Sequence, residues 1–112
     1  MRQLLIDDFR TFDMIDSDGR YARPHEGAER EHALTFSDGI GLLDWGGPWD
    51  LLYLDHDLES EDPKETGCGI MCWLEQHQNP RQMPKEIVFV TDNPVGREAM
   101  QRVLDSIRAR SR

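Results

Sequence analysis

The chain has 112 residues, with 13 Lys and Arg against 22 Asp and Glu and a formal net charge of -9. One ordinary core fits this length and two do not, so residues 1–112 read as a single domain. The acidic balance argues against nonspecific binding of duplex DNA, and no apolar run approaches the ~20 residues that would span a membrane.

Met1-Arg2-Gln3 leads directly into the first apolar run. This leaves no room for a secretory or transit peptide, and a cytoplasmic location is the default expectation. That run, Leu4-Leu5-Ile6, breaks into Asp7-Asp8 at its carboxyl end and reads as a strand buried on both faces. Arg10 follows the acidic pair, placed to neutralise carboxylates or to hold a phosphate. The stretch from Asp13 through Gly27 is rich in Asp, Ser, Gly and Pro and reads as loop. His25 and His32 lie in or beside it.

Residues 32–36 form a second short strand on this reading, and Ser37-Asp38 caps a brief helix over 39–43 that Gly46-Gly47-Pro48 stops. Trp45 and Trp49 flank that turn and are expected to close the core edge. A strand over 50–54 ends in Asp55-His56-Asp57. After an acidic loop, Thr66 caps a helix whose Ile70, Met71, Trp73 and Leu74 face the core, and Asn79-Pro80 ends it. Cys68 and Cys72 share one face of that helix and read as buried free thiols rather than a disulfide or a zinc site with His77. The last strand, 86–90, ends at Thr91-Asp92, and a final amphipathic helix runs from about Arg97 to Arg108, with Met100, Val103, Leu104 and Ile107 on one face. The arginines at 102, 108, 110 and 112 complement that helix's dipole.

Strands alternating with helices imply an α/β fold with a parallel sheet of about four strands, right-handed crossovers and helices on both faces. Ligands of such sheets bind in the crevice beyond the strands' carboxyl ends. Five aspartates, Asp7, Asp8, Asp55, Asp57 and Asp92, are expected there.

Neighbouring carboxylates repel, so the site must raise a pKa, add basic partners or hold a cation. Oxygen ligands alone favour Mg2+ or Mn2+ over zinc. On an extended chain Asp7 and Asp8 point in different directions, one to the crevice centre and one to its rim. Asp55 and Asp57 share a side, with His56 facing away unless the strand has already turned into loop. Solvated loop starts or helix caps are the ordinary fate of Asp after a strand. Two clusters on strands expected to be neighbours weigh against that. Asn93-Pro94-Val95-Gly96-Arg97 sits at a helix start whose amides suit an anion, and Arg97 adds a two-pronged phosphate contact. The hydroxyl of Thr66 either caps or meets substrate.

In this order, Leu5-Ile6-Asp7-Asp8-Phe9-Arg10, Leu54-Asp55-His56-Asp57-Leu58, Glu65-Thr66-Gly67 and Asn93-Pro94-Val95-Gly96-Arg97-Glu98 resemble the cyclic-phosphate-processing receiver-like domain family. The resemblance implies a small receiver-like, flavodoxin-like three-layer domain with strand order 2-1-3-4, found in bacteria and bacteriophages. It also implies action on cyclic nucleotides or on RNA ends that carry a cyclic phosphate. The chain departs from the family pattern where Val90 replaces a histidine and Ala99 an asparagine.

The first functional reading is a metal-dependent phosphoesterase, with Asp7, Asp8 and Asp55 holding Mg2+ or Mn2+ and His56 or Asp57 moving the proton. Arg10, Thr66, Thr91, Asn93, Gly96 and Arg97 are its candidate substrate contacts. The alternatives are a noncatalytic binder of an anion or a partner protein, using Trp45, Trp49 and the long first loop, and a phosphoaccepting receiver. The last has Asp55 as acceptor and Thr91 as switch hydroxyl, but no lysine follows Thr91.

Overall fold

The structure is a computed structural model that describes residues 1–77 and 79–110; Arg112 of the basic tail lies outside the described residues. Four strands, β1 (Arg2–Ile6), β2 (Glu29–Ala33), β3 (Leu51–Leu54) and β4 (Glu86–Phe89), alternate with α1 (Phe12–Asp16), α2 (Phe36–Trp45), α3 (Gly67–His77) and α4 (Pro94–Arg110). All pairings are parallel, in the order β2-β1-β3-β4. No helix among the described residues is long and apolar enough to cross a membrane.

The continuous apolar runs follow from burial on two faces. Leu4, Ile6, Leu52, Leu54, Ile87 and Phe89 pack with Leu43 of α2, Ile70, Met71 and Leu74 of α3, and Met100, Leu104 and Ile107 of α4. Leu5, Leu51, Tyr53, Val88 and Val90 form the opposite face with Ile15 of α1 and with Tyr21. Each such aliphatic side chain, fully buried, contributes about 1.5–3 kcal/mol before the entropy of ordering it. The layers are unequal. Three helices cover one face, while a single-turn helix and the loop through Tyr21 cover the other.

Several local expectations shift. Residues 12–16 are helical rather than loop, because the Met14 amide donates to Thr11 Oγ1 at 3.3 Å and Ile15 is buried in the second core cluster. Asp16, at the end of that turn, accepts two bonds from Arg30 at 2.8 Å. The second strand comes three residues earlier than read. As an edge strand paired only with β1 it carries polar Glu29, Arg30 and Glu31 and shows little apolar signal. Thr35, at the end of the expected strand, instead caps α2, accepting from the Asp38 amide at 3.1 Å.

That helix is longer than the brief one expected and lies close on the sheet: a Cβ at Gly39 would stand 2.8 Å from Ile6 Cδ1. Trp49 closes the core edge, 1 % exposed, with Nε1 donating to the Leu42 carbonyl at 2.9 Å. Trp45 does not; it is 88 % exposed. The last helix starts at Pro94, earlier than Arg97, because proline suits a first helical position and Asn93 Oδ1 accepts the Gly96 amide at 3.1 Å. Cys68 and Cys72 are free thiols, half-buried rather than buried.

Candidate functional site

The register of β1 against β3, with Ile6 opposite Leu54, delivers the next residue of each strand to the same place. One carboxylate oxygen from each of Asp7, Asp8 and Asp55 lies within 4.8 Å of the others. Asp7 is fully buried and Asp55 nearly so. The loop folds around these groups. Asp7 Oδ1 accepts the amides of Phe9 at 2.8 Å and Arg10 at 2.9 Å, Asp8 Oδ2 accepts the Glu59 amide at 2.9 Å, and Asp55 Oδ1 accepts the His56 amide at 2.8 Å.

Electrostatics mark the cluster as short of positive charge. Burial, and then the charge of Asp7, push the Asp55 carboxyl up to about 6 despite the opposing pull of Arg10. Arg10 is the cation that the chain itself supplies: Nη1 lies 3.5 Å from Asp7 Oδ2 and 3.7 Å from Asp55 Oδ1, and Nη2 lies 2.9 Å from Asp92 Oδ2. Asp92 also meets Arg20 at 3.6 Å, so it stands at the rim. An all-oxygen donor set with a buried carboxyl held above its usual range suits a hard divalent ion, and the residues fit Mg2+ or Mn2+.

Asp57 is not part of this cluster. β3 stops at Leu54, so the chain has already turned into loop, the one condition under which Asp55 and Asp57 need not share a side, and alternation does not carry through to Asp57. Asp57 Oδ1 instead lies 3.0 Å from His56 Nδ1, and Asp57 Oδ2 lies 3.5 Å from Asn93 Nδ2. The His56 ring rests against the start of α4, where Gly96 has no side chain to block it.

The expected substrate contacts divide. Arg10 is in the crevice. Thr66 Oγ1 accepts the Gly69 amide at 3.2 Å, and Thr91, 1 % exposed, accepts the Asn93 amide at 3.1 Å through Oγ1. Asn93 caps α4, and the Gly96 amide is committed to that cap rather than open to an anion. Arg97 turns away altogether. Its guanidinium bonds the carbonyls of Phe89 (3.2 Å) and Thr91 and the Tyr21 hydroxyl (2.9 Å) along the open edge of β4. It satisfies acceptors that a further strand would otherwise take, which corrects its reading as a two-pronged phosphate contact.

His32, which the sequence offered beside the first loop, does reach the site: its Nε2 lies 2.8 Å from the Asp7 carbonyl. Tyr21, whose hydroxyl holds Arg97 at the β4 edge, escaped sequence reasoning. Nothing in the loop composition around Tyr21 signals that role. Val90, where the resembled family carries histidine, is fully buried in the second core cluster.

A parallel sheet in this order, with acidic side chains gathered beyond β1 and β3, defines a receiver-like α/β domain. Among solved structures the chain is similar to the receiver domain of the Francisella response regulator 1452, with 14% identity over 99% of this chain and 98% of that one and a TM-score of 0.56. It is also similar to the response regulator domain of Thermotoga maritima CheB, with 15% identity over 97% and 94% and a TM-score of 0.47. No curated protein matches the sequence. The family model of the cyclic-phosphate processing Receiver domain matches residues 2–106, and the chain belongs to that family.

Proposed function

We propose that this domain is a metal-dependent phosphoesterase that opens a cyclic phosphate, carried by a cyclic nucleotide or by an RNA end. The observation that carries this reading is the convergence of Asp7, Asp8 and Asp55 within 4.8 Å, beside a His56–Asp57 pair at 3.0 Å. Magnesium or manganese held by the three carboxylates would supply Lewis-acid polarisation of a phosphoryl oxygen. Arg10, beside Asp7 and Asp55 in the crevice, balances the charge of the bound phosphate.

In the tautomer that the pair favours, His56 Nδ1–H donates to Asp57 Oδ1, which leaves Nε2 as the acceptor. His56 then takes a proton from the attacking water as its oxygen bonds to phosphorus. The bond from phosphorus to one ring oxygen breaks, and His56 returns the proton to that oxygen, giving a phosphate monoester. Asn93 positions Asp57, and Gly96 leaves room for the imidazole.

The likeness to receiver domains supports a second reading, in which Asp55 accepts a phosphoryl group and Thr91 is the switch hydroxyl. Against it, no lysine follows Thr91, and Arg97 is committed to the β4 edge. The test is incubation with Mg2+ or Mn2+ and a panel of 2',3'-cyclic nucleotides and cyclic dinucleotides. Monoester product that disappears in His56→Ala is the expected result. Absence of product across the panel, with metal binding intact, overturns the enzyme; ligand retained unchanged then makes the domain a binder. A stable aspartyl-phosphate after treatment with a small phosphodonor makes it a receiver.

A further inference from the structure

Phe9 is 75 % exposed although its two neighbours, Asp8 and Arg10, both belong to the acidic crevice. Its position is set by the site itself. The amides of Phe9 and Arg10 both donate to the buried Asp7 Oδ1, so the backbone that carries the ring is fastened to one of the clustered carboxylates.

Most other rings of the chain are occupied. Phe12 meets Tyr53 at 6.2 Å and His32 at 6.3 Å, Trp73 lies 4.3 Å from His77, and guanidinium groups cover Tyr21 and Trp49. Phe9 and Trp45 are the two strongly exposed aromatic side chains among the described residues, and neither has a ring or cation partner. Trp45 ends α2, at the opposite end of the sheet from the crevice. Phe9 stands at the crevice mouth. The first turn of α4 adds a second exposed apolar side chain, Val95, and the Arg10–Asp92 pair at 2.9 Å ties the loop before that helix to the loop that carries Phe9.

We propose that Phe9 is a stacking platform for a nucleobase, so that the crevice selects cyclic phosphates that bear a base over those that do not. This rests on the cyclic-phosphate reading above and names the substrate class for the same site. In a nucleoside 2',3'-cyclic phosphate one sugar ring separates base from phosphate, and here the exposed ring is carried by the residue that directly follows Asp8 of the carboxylate cluster. Stacking on a phenyl ring tolerates any base, because every base has a π face, and favours the larger purines. The pinned backbone leaves little loop ordering to oppose binding.

The test compares two ligands by calorimetry in magnesium: adenosine 2',3'-cyclic phosphate and methyl riboside 2',3'-cyclic phosphate, both as slowly hydrolysed phosphorothioates. Wild type should prefer the adenosine ligand roughly ten-fold. Phe9→Ala should abolish the preference by weakening only the adenosine ligand, and Phe9→Trp should keep or enlarge it. Because the ring is exposed, unfolding midpoints should stay level across the variants, which separates lost stacking from lost folding. A preference that survives in Phe9→Ala overturns this inference and leaves the cyclic-phosphate reading standing. Binding of neither ligand by wild type overturns both.

Discussion

The imidazole of His56 lies against the backbone of Gly96 so closely that a Cβ on Gly96 would stand 2.4 Å from His56 Cγ. Two residues forty positions apart thus share one volume, and the absence of a side chain at the start of α4 allows His56 to reach Asp57. The site has two parts as a result: a carboxylate cluster between β1 and β3, and a histidine–aspartate pair held under α4.

Gly96→Ala should force the ring or the helix start to move. The overpacking should cost about 1–3 kcal/mol of stability, read by urea unfolding. The His56 ring nitrogen signals in NMR should shift with it, while the carboxylate cluster still takes up magnesium. Unchanged ring signals would show that the contact does not constrain His56.

Asp55 makes stability depend on pH in a direction opposite to that of a salt-bridged carboxylate. Its folded pKa is about 6, against about 3.9 when unfolded, so between these values the folded state binds more protons and stability falls as pH rises. Asp55→Asn should therefore stabilise the metal-free protein at pH 7 by on the order of 2 kcal/mol, and by little below pH ~4. Asp16, Asp18 and Asp50 have lowered pKa values and lose their contributions at lower pH, which keeps the two windows apart. Urea titrations in chelator check this; a wild-type-minus-variant difference that stays flat from pH 4 to 7 counts against it. Magnesium should raise the wild-type Tm and do little for the variant.

Arg97→Met should expose the cost of an open sheet edge. The carbonyls of Phe89 and Thr91 and the Tyr21 hydroxyl lose their donor, for a loss of about 1–3 kcal/mol, and the bare β4 edge should favour self-association. Lysine, a single compact donor, should recover only part of the loss. Affinity for a cyclic phosphate should not change. If binding falls while stability holds, Arg97 is a phosphate contact after all.

Tyr53 carries a buried hydroxyl that makes no hydrogen bond of ordinary geometry among the described residues, with only a weak approach to the Arg23 backbone. Tyr53→Phe keeps the edge-on packing with Phe12 and removes the stranded group. Thermal unfolding should show no loss and a gain of up to ~1 kcal/mol, since an unsatisfied buried hydroxyl is itself a cost. A destabilised variant would reveal an ordered partner for that oxygen.

The strands were the most legible part, because β1, β3 and β4 are buried on both faces and cannot carry polar residues without cost. The second strand was misplaced because an edge strand solvated on one side can be Glu-Arg-Glu, and Thr35 can end a strand or cap a helix with equal local logic. The same ambiguity hid α1: its Ser17-Asp18-Gly19 stop was visible, but its start depends on Ile15 finding a core that only the folded sheet provides.

By itself the sequence determined the alternation of strands with helices, and hence a parallel sheet whose carboxyl ends carry Asp7, Asp8 and Asp55, since a residue that follows a strand can lie nowhere but at that strand's end. Tertiary structure alone decided which of these groups meet. The pairing of Ile6 with Leu54 brings Asp7 to Asp55, the loop after β3 turns Asp57 to His56 under Gly96, and the unpaired edge of β4 draws Arg97 away from the crevice. The decisive contacts, Ile6 with Leu54, His56 with Gly96 and Arg97 with Tyr21, join residues dozens of positions apart, and through-space contact at that range leaves no mark on local composition or periodicity.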